Sequence, residues 1–310
     1  MYPTILVPID GSDPSTKGLI LAQQLARLFK SEVVLLHVLD RRVLALADET
    51  YLKPDHTFFA DELRAAGEQL LSAVKGTLAE GGIQVRTVLA QGVVVEEIVR
   101  TAERTKASVV CMGSTGVGDW GHRLLGSVAR GVLHHAATPV LIVPRSVDSV
   151  KLQHRAGVDA ALEHLLVPVD GSPQSSLALT HATQIAKAAD LAHLHVTHVL
   201  DRIALDGARM GLRQPSAVEV VQQLRMRGQK DLDDAIAAAQ AQGVKATAHL
   251  REGRVAQSIV ELAEELRIDL LCIGTHGRTG LSRAVLGSVA EAVVGAAPCP
   301  VLVTRSPSAQ

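Results

Sequence analysis

The chain carries one glycine pattern twice, and this repeat constrains the fold more than any other feature of the sequence. The first copy reads Gly113-Ser-Thr-Gly116, then nine residues, then Gly126-Ser127. The second reads Gly274-Thr-His-Gly277, then nine residues, then Gly287-Ser288. Each copy follows a short apolar run and leads into an Ala/Val-rich segment of helical character. A strand, a glycine-rich loop and a helix N-terminus together bring backbone amides close to a phosphate. We therefore expect a duplicated nucleotide-binding module.

The duplication extends well beyond the glycines. Ile5-Leu-Val-Pro-Ile-Asp10-Gly-Ser returns as Leu165-Leu-Val-Pro-Val-Asp170-Gly-Ser, and Pro139-Val-Leu-Ile-Val returns as Pro300-Val-Leu-Val-Thr. A repeat of this length, in a chain of 310 residues, indicates two domains, each long enough to build its own core. We expect a first domain over residues 1–146, a linker over 147–161 and a second domain over 162–310.

Composition excludes several classes of protein. The apolar runs are far shorter than the ~20 residues that cross a bilayer, and the net charge is only −1. No leader peptide is expected, because the pattern of a strand already begins at Thr4. These features argue against a membrane or a nucleic acid as partner. Cys111 and Cys272 occupy matched places in apolar strands, and Cys299 stands alone, without metal or disulfide spacing. Buried thiols of this kind are typical of a cytoplasmic protein.

The hydrophobic pattern predicts five strands and four helices in each repeat. In the first repeat the strands fall near residues 3–9, 32–39, 83–90, 107–113 and 139–144. Continuous Val, Ile and Leu runs are typical of strands buried on both faces of a parallel sheet. Asp13-Pro14 and Ser172-Pro173 predict capped helix starts, with Ser12 as an alternative cap in the first repeat. Alternation of strands and helices predicts two doubly wound α/β domains in tandem.

Ligands of doubly wound folds bind beyond the carboxyl ends of the strands. Asp10 and Asp170 follow the first strand of each repeat, and their carboxylates can accept hydrogen bonds from ribose hydroxyls. The alternative is that each aspartate only caps the turn into the following helix.

The glycines of the loop have separate expected roles. Gly113 and Gly274 end a strand, where a missing Cβ lets a phosphate or the adenine approach the backbone. The second glycine of each loop is expected to adopt a positive φ, and the third allows the chain to enter the last helix closely. The serine that follows would present its hydroxyl, and the positive end of the helix dipole, to an anion. The residues that carry these roles are Gly116, Gly277, Gly126, Gly287, Ser127 and Ser288.

Taken together, the glycine pattern, Val-Pro-x-Asp-Gly-Ser at the first strand and His-Val at the second strand resemble the universal stress protein family. The resemblance covers nearly the whole chain as two tandem domains. It implies a five-stranded sheet in the order 3-2-1-4-5 in each domain and bound ATP. The positions that it implies for nucleotide binding are Pro8, Ile9, Asp10, Val38, Met112, Gly113, Gly116, Gly126, Ser127 and Val128, and, in the second copy, Pro168, Val169, Asp170, Val199, Ile273, Gly274, Gly277, Gly287, Ser288 and Val289.

The two copies differ in the loop that follows the glycines. Repeat 2 carries Arg278 and Arg283, which can meet a triphosphate, whereas repeat 1 has Val117 and Asp119 at this loop. We expect ATP with a divalent ion, most simply Mg, as the ligand, and tighter binding in repeat 2.

The leading functional hypothesis is a regulatory stress-response protein whose ATP occupancy reports the state of the cell. The alternative is an enzyme, either a slow ATPase or a nucleotidyl-transferring relative, although the sequence lacks a P-loop, an adenylylation signature and an evident catalytic base. A scaffold without ligand is a third class, which the intact glycine pattern disfavours. No metal site is expected, because His193 and His195 share one strand face while His198 lies on the other.

The same resemblance implies an assembly. Members of the family dimerise through the fifth strand, so the two repeats are expected to pair there within one chain, and a further homodimer stays open. An apolar edge strand needs such a partner, because an exposed edge promotes aggregation.

Overall fold

The computed structural model describes residues 1–43, 56–115, 125–149, 162–190, 193–202, 216–275 and 286–305. The chain divides into two compact units, Met1–Ala156 and Gly157–Gln310. Most of the expected linker falls outside the described residues, so the linker and domain bounds stay predictions.

The first unit is built on parallel strands that follow the order β3-β2-β1-β4-β5. Its elements within the described residues are β1 (Thr4–Pro8), α1 (Asp13–Phe29), β2 (Glu32–Asp40), α2 (His56–Glu80), β3 (Val85–Gly92), α3 (Val94–Arg104), β4 (Val109–Gly113), α4 (Ser127–His135) and β5 (Val140–Val143).

The second unit repeats this arrangement, with parallel strands in the order β8-β7-β6-β9-β10. Its elements within the described residues are β6 (His164–Pro168), α5 (Pro173–Ala188), β7 (His193–Asp201), α6 (Ser216–Gln240), β8 (Ala246–Gly253), α7 (Val255–Glu265), β9 (Leu270–Gly274), α8 (Ser288–Ala296) and β10 (Val301–Thr304).

The expected α/β class with a parallel sheet is confirmed. The central strands are hydrophobic, as expected for strands covered on both faces: every residue of β4 is buried, and so is every residue from Val33 to Leu36 of β2. The outer strands β3 and β8 are polar in part and have no fully buried residue. The first and fourth strands of each unit are neighbours, with Ile5 opposite Val109 and Leu165 opposite Leu270. This adjacency brings the turn after the first strand next to the glycine loop after the fourth.

Helix ends follow the expected chemistry, with one correction. Ser172 caps α5 as expected, but the cap of α1 is Ser12 and not Asp13. Ser12 occupies the N-cap position because its Oγ accepts a hydrogen bond from the Ser15 amide at 3.3 Å, while Asp13 already lies in the first turn of the helix. Gly82 and Gly243 follow the long second helices with φ of 75° and 80°, a conformation that glycine adopts without strain.

Candidate functional site

The turn after the first strand is held by its aspartate. Asp10 Oδ1 accepts hydrogen bonds from the Ser12 amide at 3.0 Å and the Ser12 hydroxyl at 2.5 Å. Asp170 Oδ1 accepts from the Ser172 amide at 3.0 Å. The turn-capping role is therefore present in both repeats. It leaves room for a ligand role, because a carboxylate has about four acceptor positions.

The glycine that ends the fourth strand of each unit has a packing role that the sequence did not predict. A Cβ on Gly113 would lie 2.4 Å from the Pro14 carbonyl oxygen, and a Cβ on Gly274 would lie 2.8 Å from the Gln174 backbone. The missing side chain therefore makes room for the first helix of each unit, α1 or α5. Both glycines also line cavities, and their role toward a ligand stays a prediction.

The two ends of the glycine loop are tied together. The Gly126 amide donates to the Ser114 carbonyl at 2.8 Å, and the Gly287 amide donates to the Thr275 carbonyl at 2.8 Å. Gly126 and Gly287 are the N-caps of α4 and α8, and neither helix has a side-chain cap. The first helical turn therefore starts directly beside the end of the fourth strand.

A cavity of about 580 Å³ lies at the carboxyl ends of the strands in the first unit. It is bounded by the turn after β1, the end of β2, helix α3, the end of β4 and the start of α4. Its wall includes Pro8, Ile9, Asp10, Val38, Met112, Gly113, Gly126, Ser127 and Val128.

The second unit has a matched cavity of about 340 Å³. The corresponding elements bound it, and its wall includes Pro168, Val169, Asp170, Val199, Ile273, Gly274, Gly287, Ser288 and Val289. Every predicted site residue that the structure describes thus lies on one of the two cavities. Gly116, Gly277 and Arg278 lie outside the described residues, as do Val117, Asp119 and Arg283. The binding role of all these residues stays a prediction.

Two apolar helix positions complete the wall and were not predicted. Val94 and Ile98 on α3 line the first cavity, and their counterparts Val255 and Ile259 on α7 line the second. The repeat itself holds the signal: both pairs recur at the same offset, where the third helix follows the third strand.

Thr115 was also missed, although it belongs to the glycine pattern. It lines the first cavity and is only 8% exposed, and its hydroxyl has no hydrogen-bond partner within the described part of the chain. A buried hydroxyl without a partner costs free energy, so its presence needs an explanation. The matched position in repeat 2 is His276, which lies outside the described residues.

The histidine at the sixth position of the second strand is held differently in the two units. His37 Nδ1 lies 2.8 Å from the Ile9 carbonyl oxygen, at the end of β1. His198 Nδ1 instead lies 3.5 Å from Asp231 Oδ2 of α6. Both rings pack where a helix presents a glycine: a Cβ on Gly67 or on Gly228 would lie 2.8 Å from the imidazole.

An ion pair lies at the mouth of the first cavity. The Arg42 guanidinium donates to both carboxylate oxygens of Asp40, with Nη2 at 2.7 Å from Oδ2. The hydrogen bond from Arg42 lowers the pKa of Asp40 below its ordinary value, so this carboxylate is charged at neutral pH. Repeat 2 keeps Asp201 but has Ile203 in place of the arginine.

The described residues contain neither a metal-binding cluster nor a membrane-spanning helix. No group of three or more His, Cys, Asp or Glu side chains there is arranged to hold a metal ion. Among the same residues, no helix combines the length and the apolar character needed to cross a membrane.

The fold and the cavities define a class: tandem doubly wound α/β domains, each with a cavity at the carboxyl ends of its strands. The model of the universal stress protein family matches residues 1–144 and 161–305. The chain therefore belongs to that family, which confirms the resemblance drawn from its motifs.

Relatives exist for the whole chain and for one repeat. A universal stress protein of Mycolicibacterium smegmatis is 28% identical over 304 residues, which is 97% of this chain and 96% of the relative. One from Methanocaldococcus jannaschii is 40% identical over 144 residues, which is 46% of this chain and 82% of the relative. The crystal structure of a universal stress protein from Archaeoglobus fulgidus covers 99% of both chains with a TM-score of 0.72 at 26% identity.

Proposed function

We propose that the chain is a stress-response protein that binds ATP in its cavities, and that nucleotide occupancy signals the state of the cell. The observation that carries this proposal is the convergence in both units of an apolar wall, a carboxylate and the first turn of a helix. Doubly wound folds bind their ligands at this position.

The apolar wall suits a nucleobase. In the first cavity Ile9, Val38, Ile98 and Met112 surround the space between the end of the sheet and α3. Small-molecule sites are typically clefts of about 300–1,000 Å³ with mostly apolar walls and a few polar groups. Cavities of about 580 and 340 Å³ fall within that range.

The ribose would bind at Asp10 or Asp170. Each carboxylate lines its cavity at the end of the first strand while its Oδ1 holds the turn. The turn fixes the direction of the carboxylate, so a sugar hydroxyl would meet an acceptor that is already oriented.

The phosphates would bind between the glycine loop and the start of the last helix. In the first unit Ser127 begins α4 at the cavity, and Thr115 lines the same cavity. A phosphate oxygen would give Thr115 the acceptor that it otherwise lacks and would meet the positive end of the helix dipole. Gly116, Gly277 and Arg278 are proposed to act in the same region. Mg would arrive with the phosphates, since Mg is usually held through them and only one or two carboxylates.

Hydrolysis is proposed to be slow. The sequence has no evident catalytic base, and on the described wall of the first cavity His37 Nδ1 faces the Ile9 carbonyl while Asp40 is paired with Arg42. Turnover well below the ~1–10³ s⁻¹ of ordinary enzymes is expected. Phosphate release at ordinary enzyme rates would favour the alternative, an ATPase or a nucleotidyl-transferring enzyme.

The direct test is equilibrium dialysis of the full chain with ATP, GTP and Mg at millimolar concentration, together with chromatography of nucleotide released on denaturation. Gly126→Val and Gly287→Val should each remove one site. The backbone there, with φ of −61° and −66°, accepts valine without strain. Gly76→Val is a control, because a Cβ there meets nothing within 4 Å. No ATP uptake by the unmodified chain would refute the proposal.

The assembly expected from the sequence stays a prediction. Pairing of the two repeats along their fifth strands would make each half, expressed alone, self-associate. Halves that remain monomeric at high concentration would contradict it. The cytoplasmic location is likewise a proposal, supported by three buried cysteines that are all free thiols.

A further inference from the structure

Four histidines of the second unit form one cluster, at the end of the sheet opposite to the cavity. His164 begins β6, His193 and His195 lie at the start of β7, and His249 lies on β8. Their rings are close neighbours: the centroids of His195 and His193 are 4.7 Å apart, and those of His195 and His249 are 5.3 Å apart. This histidine cluster therefore spans three adjacent strands.

Three of the rings are linked in a chain through the buried His195. His164 Nδ1 lies 3.2 Å from His195 Nε2, and His195 Nδ1 lies 3.1 Å from His249 Nε2. His193 lies beside this chain, with Nε2 at 2.8 Å from the Thr247 hydroxyl. The side chains thus connect β6 to β7 and β7 to β8 in addition to the backbone hydrogen bonds.

We propose that the histidine cluster is a proton-sensitive clasp, which holds β6, β7 and β8 together at neutral pH and releases them in mild acid. The clasp rests on the geometry of the three-ring chain and does not depend on nucleotide binding.

The number of donors and acceptors in the three linked rings limits how many protons they can bind. A neutral imidazole has one donor and one acceptor, whereas a protonated imidazole has two donors. With one proton added, both links can still pair a donor with an acceptor. With two protons added, at least one link has two donors facing each other, wherever the protons sit. The folded chain of rings therefore holds at most one extra proton without losing a link.

The surroundings oppose protonation further. Burial lowers the pKa of His195 to about 4, and the neighbouring imidazoles add to this effect. Burial also lowers the pKa of His193, with help from His164 and Lys245. It lowers the pKa of His249 too, with help from Arg251 and against the opposing influence of Glu265.

The charged groups that face the cluster are few among the described residues. Helix α7 packs on β7 and β8 and contributes Glu265, which acts on His249 and is paired with Arg251 of β8. Lys245 precedes β8, and Asp269 precedes β9 with its Oδ2 accepting the Glu163 and His164 amides. Both carboxylates are thus already engaged by other groups, which leaves them less able to stabilise a second imidazolium.

The first unit is a built-in comparison. The strand pairings of the two units match position by position. The residues of the first unit that correspond to His164, His193, His195 and His249 are Thr4, Glu32, Val34 and Val88. Glu32 there pairs with Arg86 at 3.2 Å, in the place of the contact between His193 and Thr247. The first unit therefore has no imidazoles at this end of the described sheet.

The sign of the effect follows from proton linkage. A folded pKa below the unfolded value of about 6.5 gives stability that is full above pH 6.5 and is lost as the pH falls toward 4. Each proton that the folded cluster excludes raises the opening constant up to about tenfold per pH unit in that window. Two excluded protons give a steeper response.

The test is amide hydrogen exchange of the full chain between pH 7.5 and 5, corrected for intrinsic exchange rates. Protection of peptides from β7 and β8 should fall at least about tenfold between pH 7 and 5, while peptides from β2 and β3 stay unchanged. His195→Val, which installs the residue found at Val34, should remove the part of the fall that the cluster causes. His181→Leu is the control for the general acid sensitivity of a buried histidine: His181 lies outside the cluster, so this variant should keep the part of the fall that the cluster causes.

The proposal would be overturned if protection of β2 and β3 fell as much as that of β7 and β8. It would also be overturned if His195→Val showed the same fall in protection as the unmodified chain. If His195→Val does not fold, imidazole NMR titration of the unmodified chain decides. The clasp requires that His164, His195 and His249 together take up no more than one proton before β7 and β8 open. Three independent titrations near pH 6.5 in the folded protein would overturn it.

Discussion

A Cβ atom on Gly113 would lie 2.4 Å from the carbonyl oxygen of Pro14, because α1 crosses the end of β4 with no space for a side chain. The approach is reciprocal, since a Cβ on Gly18 would lie 2.9 Å from the backbone of Met112. In the second unit Ala178 takes the place of Gly18 and is fully buried, so that crossing accepts a methyl group. The first unit therefore depends more strongly on its glycines.

Gly113→Ala should destabilise the first unit by about 2–3 kcal/mol, since α1 or β4 must shift to admit the methyl group. Gly76→Ala should be neutral or slightly stabilising, because it adds a methyl group to an open helix position. Urea unfolding followed by circular dichroism measures both changes. Equal stabilities of the two variants would show that the crossing is looser than described.

Asp10→Asn separates the two roles of the aspartate. Asparagine keeps the oxygen that accepts the Ser12 amide, so the turn and the stability should change by less than about 0.5 kcal/mol. The loss of charge should weaken a charge-assisted hydrogen bond to ribose, roughly tenfold in ATP affinity at the first site. Calorimetric titration in a Gly287→Val background measures this site alone. Unchanged affinity would leave Asp10 with the turn role only.

Thr115→Val should change stability and binding in opposite directions. Valine has nearly the same shape and removes a buried hydroxyl that has no partner, so the ligand-free protein should become more stable by up to about 1–2 kcal/mol. If the hydroxyl binds a phosphate, ATP affinity at the first site should fall several-fold. Thr115→Ser keeps the hydroxyl and should retain binding. Stabilisation without any loss of affinity would separate Thr115 from the ligand.

His181 makes the second unit sensitive to acid through global unfolding. Burial lowers the pKa of His181 on α5 to about 4. Because the unfolded chain binds this proton near pH 6.5, stability is full above pH 6.5 and falls as the pH drops toward 4, by about 3 kcal/mol at most. His181→Leu, which installs the residue found at Leu21, should flatten the pH dependence of the unfolding free energy. Parallel curves for the two proteins would contradict this assignment.

Much of the fold could be predicted because the signal was local and occurred twice. The runs at Val33–Leu36 and Val109–Gly113 indicate buried parallel strands, and the repeat fixes matched positions around each cavity. The packing role of Gly113 could not be predicted, because only the helix crossing brings Pro14 next to it. His164 and His249 are far apart in sequence, and only the register of three strands brings them to His195.

The two sites should bind ATP with different affinities. Repeat 2 has Arg278 and Arg283 in the glycine loop, whereas the loop of repeat 1 has Val117 at the position of Arg278, the acidic Asp119 and one arginine, Arg123, which would reduce the difference. These residues lie outside the described part of the chain, so the expectation rests on their charges. An arginine that meets a phosphate forms a charge-assisted and often bidentate contact, while a nearby carboxylate repels the same ligand. A difference of about 1–3 kcal/mol, or roughly 5- to 150-fold in affinity, follows if these side chains face the phosphates.

Calorimetric titration of two variants, each with one site blocked, measures the difference. Gly126→Val leaves the second site, which should bind more tightly, and Gly287→Val leaves the first. The difference in ATP affinity between the two sites should decrease as the salt concentration rises, because part of it is electrostatic and is screened by salt. Arg278→Val in the Gly126→Val background should bring the second site toward the first, since it installs the residue found at Val117. Equal affinities of the two blocked variants would mean that the loop charges do not reach the ligand.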